Sequence, residues 1–160
     1  IVDGMSKTYA MTGWRLGYAA GPREVVNWMS KIIANTASCT ATFTQLAGIE
    51  ALTGPQDDVE KMRQEFMARR DIIVKGLNEI PGVTCRMPKG AFYVFPNVKS
   101  FGKTSKEIAD YLLYNAGVAC LAGTDFGSYG EGYLRLSYAT SRENIATAMG
   151  RIRTALAELK

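Results

Sequence analysis

Histidine is absent from the 160 residues, and cysteine and proline are scarce. The absence of histidine excludes Ser-His-Asp and Cys-His catalysis and most catalytic zinc sites. Any proton transfer therefore has to use lysine, a carboxylate, tyrosine or a cofactor. The three cysteines lie far apart without a C-x-x-C motif, so neither a metal site nor a disulfide framework is indicated, and a reducing cytoplasm fits best.

Long apolar runs and blocks of like charge are also missing. No run reaches the roughly 18 apolar residues of a membrane span, and no basic-then-apolar leader is present. The net charge of +4 comes from 19 basic and 15 acidic residues spread along the chain, which argues against a nucleic-acid arm. We therefore expect neither a membrane nor a nucleic-acid partner. Because the sequence begins at Ile1 without an initiator methionine, we expect a fragment or a processed chain.

The first half of the sequence combines short apolar stretches with helical patterns. Buried strands are predicted at Ile1–Met5 and Trp14–Ala20. A helix is predicted to start at Pro22, and a second to cover residues 43–52. A long amphipathic helix follows within residues 56–82.

The second half has the pattern of a small α/β domain. Two capping boxes, Thr104–Glu107 and Thr140–Glu143, are each predicted to open a helix, and Leu113 is expected to face inward. The glycine-rich stretch 123–132 lacks the lysine and helix of a phosphate loop, so a flexible connection is predicted. Strands are predicted at 83–87, 90–95, 118–121 and 133–138. Residues 83–160 should therefore form an α/β sandwich with helices on one face of a sheet.

One short segment places a lysine and an arginine among apolar residues. Lys7 follows the first apolar stretch, and Arg15 lies inside the second, where burial without a partner would be costly. Pyridoxal phosphate would satisfy both, because its aldehyde bonds to an amine and its phosphate pairs with a guanidinium. Taken alone, such a pair is more often an exposed loop lysine and a structural ion-pair arginine.

The residues around this pair carry a resemblance to a known family. Residues 6–18 read Ser-Lys-Thr-Tyr-Ala-Met-Thr-Gly-Trp-Arg-Leu-Gly-Tyr, which closely resembles the cofactor-lysine segment of class I, fold type I aminotransferases of the aspartate aminotransferase-like group. The likeness continues through residues 54–58 (Gly-Pro-Gln-Asp-Asp), 90–96 (Gly-Ala-Phe-Tyr-Val-Phe-Pro) and 133–139 (Tyr-Leu-Arg-Leu-Ser-Tyr-Ala). It covers nearly the whole chain and implies the C-terminal portion of such an enzyme.

The resemblance implies a fold and a domain division. The fold class is α/β. Residues 1–55 would be the end of the large cofactor-binding domain, residues 56–82 a long linking helix, and residues 83–160 the small C-terminal domain.

The resemblance also implies roles for three residues. Lys7 matches the lysine that bonds to the aldehyde of pyridoxal 5'-phosphate and moves a proton between the substrate α-carbon and the cofactor. Arg15 matches the arginine on the cofactor phosphate, and Arg135 the arginine that clamps the substrate α-carboxylate. Many relatives carry a phosphate-binding serine where this sequence has Gly4, so that contact should be missing or made by the backbone.

The strand pattern around Arg135 agrees with a side chain outside the core. Alternation places Leu134 and Leu136 on the opposite face, so Arg135 should point away from the apolar packing. Without the resemblance, a surface strand arginine is the commoner interpretation. Phe92 and Tyr93 lie in a segment that lines the substrate pocket in relatives, although aromatic residues in strands more often belong to the core.

Some residues that a pyridoxal enzyme needs are not in this sequence. The acidic partner of the pyridine nitrogen and the ring stacked on the cofactor lie upstream of the lysine in this family. We therefore expect the isolated chain to be inactive. The family is dimeric with shared active sites, and residues 38–44 resemble the segment that reaches the neighbouring site, so we expect a homodimer of the full-length protein.

The function predicted is transfer of an amino group from an L-amino acid to a 2-oxo acid, with aspartate and 2-oxoglutarate as the best single pair. Three alternatives remain open. The parent could be another fold type I pyridoxal enzyme, a lyase or synthase, or a transcription regulator with an aminotransferase-like domain, which an upstream helix-turn-helix would reveal. The chain could also be a non-catalytic interaction module.

Overall fold

The structure is a computed structural model that describes residues 1–159. Its contacts divide the chain into two compact units, residues 1–62 and the residues from Arg63 onward. The predicted division into residues 1–55, 56–82 and 83–160 stays a prediction. Lys160, the last residue of the predicted third segment, lies outside the described residues.

The first unit pairs a two-stranded ribbon with helices. The elements are β1 (Val2–Gly4), α1 (Met5–Thr8), β2 (Gly17–Ala19), α2 (Arg23–Thr36), α3 (Thr42–Thr53) and the first turns of α4 (Asp57–Asn78). Strands β1 and β2 are antiparallel, with Gly4 opposite Gly17. Helix α2 begins one residue after the predicted start, and α3 extends one residue beyond each end of the predicted range 43–52.

The prediction that both strands of this unit are buried was wrong. Val2 is 82% exposed and Tyr18 is 44% exposed, and α2 has no buried residue. The alternation and run length of apolar residues indicate a strand, but burial requires a second surface, and none of the residues 1–159 covers this one. The unit's buried residues are Met5, Met11, Thr44 and Gly48.

The second unit is an α/β sandwich, as predicted. Strand β5 (Leu134–Ser137) is central, with β3 (Tyr93–Val94) and β4 (Leu121–Ala122) antiparallel on its two sides. The helices of this unit, besides the rest of α4, are α5 (Ser105–Ala116) and α6 (Arg142–Glu158). The core joins the end of α4, α5, α6 and one sheet face through Leu77, Ile108, Leu112, Leu134, Ile145 and Ile152.

Helix starts in this unit follow local side-chain chemistry. The first capping box is confirmed: Thr104 Oγ1 accepts from the Glu107 N–H at 3.2 Å, and the Glu107 carboxylate accepts from the Thr104 N–H at 2.8 Å. The second was wrong by one residue, because Ser141 is the N-cap and its hydroxyl accepts from Asn144 N–H at 3.2 Å. Leu113 is 44% exposed, contrary to expectation, because it lies one position past the buried Leu112 on the helix.

The predicted strand 83–87 is only an isolated bridge, between Thr84 and Asn97. Its alternation is nevertheless present, with Val83 and Cys85 buried. The reason is that a side chain replaces part of the strand partner: the Asn78 amide accepts from the Cys85 N–H at 2.8 Å and donates to the Cys85 carbonyl at 2.9 Å. These two bonds satisfy the Cys85 backbone without a ladder.

A carboxylate joins α4 to α6. Glu65 accepts from Arg69 Nε at 2.8 Å and from Arg142 Nε at 3.1 Å. These two guanidinium groups, Arg142 first, lower the pKa of Glu65 to about 2. The Glu65 carboxylate therefore stays charged well below the pH at which a glutamate ordinarily protonates, and the ion pair between Glu65 on α4 and Arg142 on α6 is kept there too.

A buried hydroxyl anchors the glycine-rich segment 123–132. Ser105 Oγ, which is fully buried, accepts from the N–H groups of Gly132 at 2.7 Å and Tyr133 at 3.1 Å. The segment folds into two 3-10 turns, and a Cβ on Gly130 would overlap the backbone of Gly123. The glycines thus have a packing reason, the close approach of two backbones, in addition to any conformational freedom.

Replacing Ser105 by alanine should lower the free energy of unfolding by roughly 1–2 kcal/mol, because the Gly132 N–H loses the shorter of its two hydrogen bonds and the Tyr133 N–H loses one of two. Thermal unfolding of the chain followed by circular dichroism would measure the change. The matched control is Ser128→Ala, an exposed serine in the same segment, which should alter stability by less than about 0.5 kcal/mol. An equal loss in both variants would contradict the anchoring role.

Candidate active site

Lys7 lies in a single helical turn that directly follows β1. The turn is anchored by Met5, which is 3% exposed and whose N–H donates to the Leu16 carbonyl at 3.1 Å. The Lys7 carbonyl accepts from the Ala10 N–H at 3.3 Å, which closes the turn. Lys7 itself is exposed, so a buried residue two positions earlier holds an accessible amine at the end of the ribbon.

The expectation that Arg15 lies inside a buried strand was wrong. Arg15 is exposed and follows a 3-10 turn (Thr12–Trp14), and β2 begins only at Gly17. Its backbone is left-handed, with φ of 54°, a conformation that costs a non-glycine residue roughly 1–2 kcal/mol. This geometry turns the side chain back over the 3-10 turn, where Nη1 donates to the Thr12 carbonyl at 2.9 Å.

Arg15 borders a cavity of about 480 Å³ within the first unit. Trp14 and Phe43 form part of its wall and contact each other edge to face, with ring centroids 6.3 Å apart. Thr40 and Thr44 also line it. The cavity is therefore lined by an arginine, two threonines and two aromatic rings.

Arg135 lies on the central strand of the second unit, on the sheet face that the helices leave open. As the alternation predicts, Leu134 and Leu136 are buried while Arg135 is half-buried. Its guanidinium carbon is 4.5 Å from the Tyr93 ring centroid and 4.0 Å from that of Phe126. Among residues 1–159 it forms no hydrogen bond or ion pair, so its N–H donors are uncommitted within the described part of the chain.

The aromatic neighbours of Arg135 could be predicted only in part. Tyr93 belongs to the segment compared with pocket-lining residues, and its ring covers Arg135. Phe92 packs against the buried core, the commoner role of a strand aromatic. Phe126 was not predicted, because it lies in the glycine-rich segment and nothing local distinguishes it from a connecting residue.

Two further properties concern the described residues only. None of their helices is long and apolar enough to cross a membrane. Across residues 1–159 no cluster of three or more histidine, cysteine or acidic side chains could hold a metal ion.

Comparison with known proteins decides the family. The family model described as aminotransferase class I and II matches residues 1–152. The chain belongs to this family. Members of this family use pyridoxal phosphate.

Individual members of the family match along almost the whole chain. The aspartate aminotransferase of Pyrococcus horikoshii is 47% identical over 158 residues, which is 98% of this chain and 40% of that protein. The aromatic-amino-acid aminotransferase 2 of Thermococcus litoralis is 44% identical and covers 99% of this chain and 41% of its own length.

A solved aminotransferase structure has the same fold. The aspartate aminotransferase of Rhizobium meliloti superposes with a TM-score of 0.94 at 41% identity, over 99% of this chain and 42% of that one. The chain therefore spans about 40% of the length of the relatives that it matches.

Proposed function

We propose that this chain is part of a pyridoxal-phosphate-dependent aminotransferase that moves an amino group from an L-amino acid to a 2-oxo acid. Aspartate and 2-oxoglutarate are the first pair to test, because the Pyrococcus horikoshii and Rhizobium meliloti proteins are aspartate aminotransferases. A relative named for aromatic amino acids has similar identity, so aromatic substrates come second.

The observation that supports the reaction class is the environment of Arg135. An arginine that is held by rings and keeps its N–H groups uncommitted among residues 1–159 can pair with a carboxylate through two parallel hydrogen bonds. Every L-amino acid and every 2-oxo acid carries that carboxylate beside the reacting carbon. One arginine can therefore orient both substrates of an amino transfer.

The donor set of the first unit fits the cofactor. Lys7 offers an exposed amine for the aldehyde, and Arg15 keeps all but one of its N–H donors for the phosphate. When bound, pyridoxal phosphate supplies an electron sink for the bonds of the substrate α-carbon.

The chemical work of the chain's own residues would then be divided. Lys7 would hold the cofactor through its aldehyde, and the Lys7 Nζ would carry a proton away from the substrate α-carbon. Arg15 would pair with the phosphate and so restrict the cofactor's position. Arg135 holds the substrate carboxylate so that the α-hydrogen has one fixed direction.

The decisive experiment compares the full-length protein with the 160-residue chain. Each would be given pyridoxal phosphate, 2-oxoglutarate and L-aspartate, L-alanine or L-tyrosine, and glutamate formation would be followed by proton NMR. The full-length protein should turn over at about 1–1,000 per second on its preferred amino acid. The isolated chain should be slower by five orders of magnitude or more, because the positioning contribution of roughly 7–11 kcal/mol is lost without the upstream ring contacts.

Two outcomes would overturn the proposal. A full-length protein that forms no glutamate from any of these amino acids is not an aminotransferase for these classes. An isolated chain as fast as the full-length protein would show that the chain is not an incomplete enzyme. The homodimer and the cytoplasmic location stay predictions.

A further inference from the structure

The guanidinium of Arg135 is approached from both sides of its strand. Tyr93 comes from β3, on one side of β5, and Phe126 follows β4, on the other side. The ring centroids lie 4.5 and 4.0 Å from the guanidinium carbon. Because the two rings come from opposite neighbours of the central strand, the guanidinium lies between them.

In both contacts the guanidinium carbon lies over the face of a ring, and no hydrogen bond among residues 1–159 uses the N–H donors of Arg135. The group is planar, its N–H donors lie in the plane, and its attraction to an aromatic ring acts perpendicular to that plane. A carboxylate that pairs through two hydrogen bonds approaches in the plane. The rings can therefore restrict the guanidinium without competing for its hydrogen bonds.

The ring of Phe126 is itself held in place. It lies in the 3-10 turn Gly123–Phe126, whose first residue packs tightly on Gly130. Gly130 accepts from Ser105 Oγ at 3.3 Å. The Phe95 ring contacts Phe126 edge to face with centroids 6.4 Å apart. The buried Ser105 hydroxyl and the Phe95 ring thus fix the position of the Phe126 ring.

We propose that Tyr93 and Phe126 are positioning residues that hold the Arg135 guanidinium edge-on to the substrate carboxylate. The proposal rests on the proposed function for its ligand, whereas the arrangement of the rings is independent of it. The rings contact the arginine and not the reacting atoms, so their effect should appear in substrate binding more than in turnover.

The first test measures the arrangement in the 160-residue chain without any cofactor. The Nε–H resonance of Arg135, assigned by its loss in Arg135→Ala, should lie upfield because it is near ring faces. Phe126→Leu keeps an apolar side chain but removes the ring, and should move the resonance downfield. Tyr129→Leu is the matched control, since Tyr129 is an exposed ring of the same glycine-rich segment and does not contact Arg135.

The second test measures substrate binding in the full-length protein. Phe126→Leu should raise KM about tenfold for both the amino acid and the 2-oxo acid, within the range of about 2- to 30-fold that cation–π contacts can produce. The turnover number should change less than about twofold, because an interaction present in ground state and transition state alike affects KM alone. Phe126→Tyr, which restores a ring, should return KM to near its original value, and Tyr129→Leu should leave it unchanged.

Failure of the positioning role and failure of the proposed function give different results. An active Phe126→Leu variant with unchanged KM and an unmoved Arg135 resonance would overturn the positioning role alone. An equal rise of KM in Tyr129→Leu would also overturn it, because the effect would then not depend on the ring that contacts Arg135. An unsubstituted protein that binds no amino acid would count against the proposed function, and the resonance would still decide whether the rings hold the guanidinium.

Discussion

Replacing Lys7 by alanine in the full-length protein should reduce amino transfer by about 10⁴-fold or more. The proposed lysine has two roles, attachment of the cofactor and proton transfer at the substrate α-carbon, and general acid–base catalysis by itself contributes roughly 10²- to 10⁴-fold. Single-turnover formation of the oxo acid from the amino acid is the measurement. An exposed amine at the end of a ribbon that Met5 anchors is accessible for both roles.

Lys31→Ala is the matched control for this substitution. Lys31 is an exposed lysine in the same unit whose ammonium lies 4.4 Å from the Trp28 ring centroid, so its loss should leave the rate within about twofold. Borohydride reduction of the protein loaded with pyridoxal phosphate, followed by peptide mapping, should label Lys7. Label on Lys31 or Lys89 in place of Lys7 would refute the assignment.

Arg135→Ala should lower kcat/KM for the amino acid and the 2-oxo acid alike. Truncating one partner of a hydrogen-bonded charge pair costs about 2–5 kcal/mol, which corresponds to a loss of about 30-fold to several thousand-fold. The reason is shared, because both substrates carry the carboxylate that Arg135 would hold. Steady-state kinetics with each substrate varied in turn would measure the two losses.

The control for Arg135 is another arginine of the same unit. Arg153 is half-exposed and pairs with Glu79 at 2.9 Å between α6 and the end of α4, and such a surface pair contributes at most about 1 kcal/mol to stability. Arg153→Ala should therefore leave both specificity constants unchanged. If Arg135→Ala also leaves both unchanged, Arg135 is a structural residue.

Local chemistry could be predicted well from the sequence. The Thr104–Glu107 capping box depends on residues three positions apart, and it is present. The alternation of β5 follows from a backbone that turns successive side chains to opposite faces, so Leu134 is buried and Arg135 is not. Lys7, Arg15 and Arg135 could be identified as candidates because each lies in a sequence motif that resembles a motif of the family.

The tertiary structure decided burial and side-chain partners. Val2 lies in a stretch predicted to be a buried strand, yet it is 82% exposed. The reason is that burial of an apolar stretch depends on another surface packing against it, which the stretch itself does not determine. Arg15 lies outside its predicted strand because a 3-10 turn and a left-handed residue precede β2, and no periodicity marks such a turn.

The contacts around Arg135 show the same limit most clearly. Tyr93 reaches it only because β3 pairs with β5, and Phe126 only because the backbones of Gly123 and Gly130 pack together under the Ser105 anchor. Pairings between residues far apart in the chain leave no periodic trace near either partner. The sequence therefore determined which groups are available for chemistry, and the packing of distant segments decided which of them hold one another in place.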